Sequence, residues 1–148
     1  MKARDPNPRN RALRCLARRE YSRAELRQKL LAENSSDHAT LDVLLDELEA
    51  RGWLSDSRFV DQTVRTRQNR FGSLRIAHEL RDKGVVQALI DAAIANLRAG
   101  ELRSARAVWQ RKFNSLPANA GERAKQMRFL QSRGFTVEVI RAVVDGCD

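Results

Sequence analysis

Apolar residues return along this chain at spacings of three and four, the period of helices with one buried face. From Asn10 the set is Ala12, Leu13, Leu16 and Ala17, and Tyr21-Ser22 breaks it. Ser22 followed by Glu25 is a capping box, in which each side chain bonds a free N–H at a helix start. It opens a second helix with Leu26, Leu30 and Leu31 inward, which the polar run Asn34 to Asp37 ends. A third carries Leu41, Leu44, Leu45 and Leu48 and stops at Gly52, a residue suited to the left-handed position after a helix. Asp56 is the expected N-cap of a fourth, with Phe59, Val60, Thr63 and Val64 on one side. After the turn Phe71-Gly72-Ser73, with Ser73 as cap, a fifth carries Leu74, Ile76, Ala77 and Leu80, and Val85 returns to the core beyond Gly84. A sixth (Leu89, Ile90, Ala93, Ile94, Leu97) ends near Gly100, and a seventh starts near Glu101 with Leu102, Ala105, Val108 and Trp109. A loop over 114–121 contains Pro117. The eighth helix holds Ala124, Met127, Phe129 and Leu130, with Phe135 beyond Gly134. The ninth, capped by Thr136, holds Val139, Ile140, Val143 and Val144. No stretch alternates with period two, so the pattern predicts nine short helices and no strands.

The pattern repeats. Leu80-Arg-Asp-Lys-Gly-Val85 and Leu130-Gln-Ser-Arg-Gly-Phe135 both read Leu-x-x-basic-Gly-apolar, about 50 residues apart. With a looser counterpart over Leu26 to Leu48, the chain divides into a flexible N-terminal arm (1–9) and three units at 10–54, 55–100 and 101–148. The expected fold is all-α: three tandem three-helix repeats forming an elongated, curved array with a concave surface. Units this short bury little surface alone, so neighbours are expected to share a core.

Charge adds a partner class. Lys+Arg number 28 against 19 Asp+Glu, for a net +9 and a pI near 10.7. That balance suits a polyanionic partner: nucleic acid, a nucleoprotein or an anionic surface. Most of the basic residues are arginine, whose planar fork suits bidentate phosphate or carboxylate contacts. No run reaches the ~20 apolar residues of a membrane span. The start, MKARDPNPRNR, lacks the apolar region of a signal peptide. Cys15 and Cys147 give neither a disulfide framework nor a metal spacing, as a reducing cytoplasm allows.

Three groups of residues carry a family resemblance. Ala12-Leu-x-x-Leu16, then Tyr21-Ser-Arg-Ala-Glu-Leu26 and Lys29-Leu30, resemble the opening of the RecX family. Gly52-Trp-Leu-x-Asp56-x-Arg58-Phe59, Arg67, Gly72 to Ile76 and Glu79-Leu80-x-x-Lys83-Gly84-Val85 are similar to its central signature. Lys112-Phe113 and Arg128-Phe129-Leu-x-x-Arg133-Gly134-Phe135 resemble its closing one. The match runs over about residues 10–146, with Asn34-Ser-Ser-Asp37 standing where a Gly turn is common and Val60 where Ala is usual. The resemblance implies three tandem three-helix repeats and a cytoplasmic regulator of homologous recombination and DNA repair. Such a regulator binds the RecA nucleoprotein filament and inhibits its ATPase and strand-exchange activities.

Nothing in the residues points to catalysis. His38 and His78 are isolated, and no Walker A or glycine-rich phosphate loop occurs. No enzyme, cofactor or metal is expected. The candidate contacts to filament and DNA are Arg58, Arg65, Arg67 and Arg70 on the fourth helix, and Arg75 and Lys83 on the fifth. Arg111, Lys112 and Arg128 follow in the third unit. For each the plainer alternative is a solvated helix face, and for Arg58 a brace on a neighbouring helix end. Arg18, Arg19, Arg23 and Arg27 alternate with Glu20 and Glu25, which favours intrahelical pairs. Trp53, Phe59, Trp109, Phe129 and Phe135 are expected in the core. The expected partner is the RecA filament, with contacts to single- or double-stranded DNA and the protein itself a monomer. A rival reading is a helix-turn-helix DNA-binding regulator. It rests on the helix–Gly–helix at 79–94, whose second helix is mostly apolar with few side chains suited to base edges. A second rival is a scaffold whose concave face binds a protein alone.

Overall fold

The computed structural model describes residues 7–33 and 37–147 and shows eight α-helices among them, without strands. They are α1 (Pro8–Arg18), α2 (Arg23–Glu33), α3 (His38–Ala50), α4 (Asp56–Arg67), α5 (Ser73–Asp82), α6 (Gln87–Lys112), α7 (Ala120–Ser132) and α8 (Val137–Val144). The expected break near Gly100 does not occur. The sixth and seventh sequence-derived helices form one 26-residue helix, α6. Glycine inside a helix costs about 1 kcal/mol relative to alanine. Packing outweighs that cost, because α6 lies against α4 and α5 with one half and α7 and α8 with the other. The third unit therefore begins inside a helix that the second unit also uses.

Three separate clusters of buried side chains fill the molecule. The first runs from Ala12 to Leu54, with Leu26, Leu30, Leu41, Leu45 and Leu48 at its centre. The second holds Phe59, Val60, Ile76, Leu80, Val85 and Ile90, and the third Ala105, Trp109, Leu130, Phe135 and Ile140. A shared core was expected; each unit instead has its own. Hydrogen bonds between units run from first to second and from second to third.

Several local expectations change with the geometry. The expected arm ends sooner, because Asn7 caps α1 and Pro8 starts it, where a missing N–H costs nothing. The rest of the arm and the turn at 34–36 lie outside the described residues. Ser55, not Asp56, caps α4; the Asp56 carboxylate instead accepts from the Arg23 N–H at 2.8 Å. Ser73 is not a cap either. Gly72 stands at the N-cap, and the buried Glu101 of α6 accepts from both the Ser73 N–H and hydroxyl, at 3.0 and 2.8 Å. Half of the capping box forms: the Ser22 hydroxyl accepts from the Glu25 N–H, while the Glu25 carboxylate turns to Arg19 and Lys83.

The helix ends repeat one device. Gly52, Gly84 and Gly134 all have φ between 74° and 87°. At each, the following N–H reaches back to a leucine carbonyl: Trp53 to Leu48, Val85 to Leu80, Phe135 to Leu130. That is the Schellman arrangement, which satisfies carbonyls a helix end leaves free. Val85 and Phe135 then enter the core as expected, but Trp53 stays 43% exposed and Leu54 takes its place. Leu74, expected inward, is also exposed.

Candidate functional site

The candidate cations separate between two grooves. Arg58 and Arg65, seven residues apart, share a face of α4, which ends at Arg67; Arg70, expected on that helix, lies in the turn after it. A groove of about 680 Å³ between α2, the end of α4 and α5 is lined by Arg67, Arg70, Arg75 and Lys83. Arg58 and Arg65 line a different groove, with Gln62, Ala93 and Asn96. The six second-unit candidates therefore do not form one patch.

Several of them are occupied. Arg67 donates two bonds to the Glu79 carboxylate, both 3.1 Å. Lys83 lies 2.8 Å from Glu25, which also binds Arg19. Burial alone raises the Glu25 carboxyl. Hydrogen bonds from Arg19 and Lys83 outweigh it and hold the group below the usual carboxylate range. Arg58 donates to Glu20 at 3.0 Å and to the Gly52 carbonyl at 2.7 Å, bracing the end of α3 as the plainer alternative had it.

The first unit matches most of its arginines with acids. Arg9 pairs with Glu47, Arg11 with Glu33, Arg23 with Asp46 and Glu49, and Arg27 with Asp42. The expected intrahelical pairs for Arg19, Arg23 and Arg27 are replaced by bonds to a carboxylate on another element or, for Arg19, six residues along the chain. Residues 10–54 carry eight basic and eight acidic side chains. The excess positive charge thus belongs to the arm and the later units.

At the junction of the second and third units the cations stand differently. Arg75 lies over the Phe71 ring at 4.0 Å from its centre, with Arg70 at 5.5 Å and Arg133 at 5.9 Å. Arg133 also lies 5.2 Å from the centre of Phe129, and Lys112 lies 5.5 Å from it. None of these four forms an ion pair with a described residue; Arg75 has only a long bond to the Ser132 carbonyl. Arg111 nearby donates to the Asn69 carbonyl, and Arg65 and Arg128 are exposed. The backbone fixes this junction: the Gly72 N–H donates to the Arg133 carbonyl at 2.8 Å and the Leu74 N–H to Gly134 at 3.0 Å. A Cβ on Gly72 would lie 2.4 Å from the Gly134 oxygen, and one on Gly134 would lie 2.3 Å from Arg75 Cβ. Only glycines allow the approach that brings Arg75 and Arg133 to one ring.

Arg133 and the two rings were not among the sequence-derived candidates. A signal existed: Arg51, Lys83 and Arg133 all precede the left-handed glycine of their units. Phe129, expected in the core, is only partly buried and packs edge-on to Phe113, 5.5 Å between ring centres. Among the described residues no cluster of His, Cys, Asp or Glu is placed to hold a metal ion. No helix among them is long and apolar enough to cross a membrane.

Serial helical units, with positive charge left unmatched along one junction, define an all-helical tandem-repeat protein. The chain belongs to the RecX family. Residues 9–44, 55–94 and 100–144 match that family's first, second and third three-helix domains in turn. It is 48% identical to the regulatory protein RecX of Leptothrix cholodnii over 134 residues, 90% of this chain and 85% of that one. It is 44% identical to the regulatory protein RecX of Chromobacterium violaceum, over 92% of this chain and 88% of that one. The fold is similar to the crystal structure of RecX from Lactobacillus salivarius, with a TM-score of 0.80, 19% identity, and 94% and 93% of the two chains covered.

Proposed function

We propose that this protein regulates homologous recombination by binding the RecA nucleoprotein filament and inhibiting its ATP hydrolysis and strand exchange, without a reaction of its own. The observation that carries the reading is the row of unmatched cations across the second and third units of a chain in this family. Three units in series offer contacts to more than one filament subunit, and bridging subunits hinders the motions coupled to ATP turnover. The site consists of Arg70, Arg75, Arg111, Lys112 and Arg128, with Arg65 on the second groove. Arg58, Arg67 and Lys83 act mainly by holding helices in place, since each is bonded to an acid inside the fold.

The helix-turn-helix rival loses its recognition helix. Residues 87–97 form the first half of α6, packed on α4 and α5, with Ile90 buried and no cation before Arg98.

The test is single-strand-dependent ATP hydrolysis by RecA on preformed filaments, with this protein added below one per recombinase subunit. Inhibition is expected, with action at ends or gaps. No effect at saturating protein would overturn the reading.

A further inference from the structure

We infer that Arg70, Arg75, Arg133 and Lys112, seated on the rings of Phe71 and Phe129, form a track for a nucleic-acid phosphodiester backbone that works without the recombinase. This deepens the proposed function and rests on its reading of the partner as a nucleoprotein.

The argument begins with what the chain does to its other cations. In the first unit Arg11, Arg19, Arg23, Arg27 and Arg51 are each bonded to an acid, and basic and acidic residues are equal in number. At the later junction four cations gather over two rings, and none of the four forms an ion pair with a described residue. The acids that line the same groove as Arg70 and Arg75 have other partners: Glu79 holds Arg67, Glu25 holds Arg19 and Lys83, and Asp82 lies beside His78. Like charges repel, so gathering them unmatched lowers stability unless an external anion completes the set.

The rings explain how the charges are held. An aromatic face attracts a cation within about 6 Å and gives a guanidinium a flat seat. Stacking occupies its face and leaves its N–H edges for an acceptor, the geometry arginine uses for phosphate. Arg75 and Arg133 come from different units, yet the paired glycines bring both to Phe71. Arg133 then spans to Phe129, where Lys112 continues the row. A row of separate cations fits a repeating anion. A phosphodiester backbone has that regularity, whereas carboxylates on a peptide hang on flexible stems and must be ordered one by one.

The test measures binding of a fluorescein-labelled oligothymidylate and of a duplex, in separate arms, to the full chain without recombinase across a salt series. Each phosphate contact contributes about −0.7 to the slope of log K against log[salt] for a single strand and about −0.9 for a duplex. The variant Arg70→Gln/Arg75→Gln/Arg133→Gln/Lys112→Gln is expected to lose at least ~10-fold in affinity. Its slope should become shallower by about 3 on whichever form binds. The control Arg9→Gln/Arg27→Gln, which removes acid-matched cations of the first unit, should stay within about twofold of the unaltered chain. Binding and slope unchanged in the fourfold variant would overturn the inference.

Should that variant fail to fold, the unaltered chain decides. Crosslinking to a bromodeoxyuridine-substituted strand is expected to mark 70–75 or 129–133, and adducts confined to 10–54 would overturn the track. Hydrolysis by RecA is measured in parallel. Oligonucleotide binding without inhibition supports the track and sinks the filament reading. Inhibition by a chain that binds neither form of DNA at low salt overturns the track and leaves the filament reading standing.

Discussion

Arg51 and Arg133 occupy the same place in two units, the last residue before a left-handed glycine. Arg51 bonds Glu47 and lies over the exposed Trp53. Arg133 meets no acid and bridges two partly buried rings at a junction. The device that ends the helix is the same, so backbone geometry does not decide what the cation does. Its neighbours do. In the first unit an acidic α3 supplies Asp42, Asp46, Glu47 and Glu49 to matching arginines. At the later junction the acids of α5 go elsewhere, Glu79 to Arg67 and Asp82 beside His78, and the charge of Arg70, Arg75, Arg133 and Lys112 is left unmatched.

The contrast can be broken most sharply at the glycines. Gly134→Ala combines a strained positive φ with a Cβ pressed on Arg75, and is expected to destabilise by about 3 kcal/mol or more. Gly52→Ala meets nothing within 4 Å and should cost only about 1–2 kcal/mol for its φ of 74°. Equal urea midpoints for the two variants would remove the claim that the second junction is close-packed at its backbone.

A middle-sized effect is set by acid. The Glu25, Asp37, Asp42 and Glu47 carboxyls all titrate below their ordinary values, and all lie in the first unit. Hydrogen bonds from Arg27 lower Asp42, those from Arg9 lower Glu47, and the Thr40 N–H lowers Asp37. A carboxyl with a lowered folded pKa contributes stability above its unfolded value near 4, and that contribution is lost as pH falls through the folded one. For Glu25, largely shielded between Arg19 and Lys83, the loss is on the order of 1–3 kcal/mol. Trp53 reports on the first unit and Trp109 on the third. Fluorescence of Trp109→Phe should therefore change at higher pH than that of Trp53→Phe. Coincident acid transitions, or the reverse order, would show that the units do not differ in this way.

The smallest effect has the opposite sign. Gly100 lies inside α6 with nothing near its missing Cβ, so Gly100→Ala should stabilise by about 0.5–1 kcal/mol in a thermal melt. A loss of stability would restore the helix break that the sequence pattern places there.

That break shows where the sequence misleads. Leucine spacing placed the helices and the glycine motif marked their ends, because both are local. Gly100 looked like a stop because glycine stops helices locally; the packing of α7 and α8 that carries α6 through it is not local. The caps followed the same rule. Asp56 and Ser73 have the right chemistry for caps, but partners distant in sequence, the N–H of Arg23 and the carboxylate of Glu101, claim them. Among the candidate cations, composition could not separate Arg67, bonded to Glu79, from Arg70, which lies in the turn after α4 and is bonded to no acid.

The uninterrupted α6 acts as a common shaft. At 1.5 Å and about 100° per residue, its 26 residues span about 39 Å and fix both distance and rotation between what is mounted at its two ends. Exposed loops absorb added residues readily; this connection has no such slack. One residue inserted near Gly100 would turn the third unit about 100° against the second and carry Arg133 away from Phe71. Lengthening the protein at this point is therefore a change of phase, and the row of cations survives only at one setting.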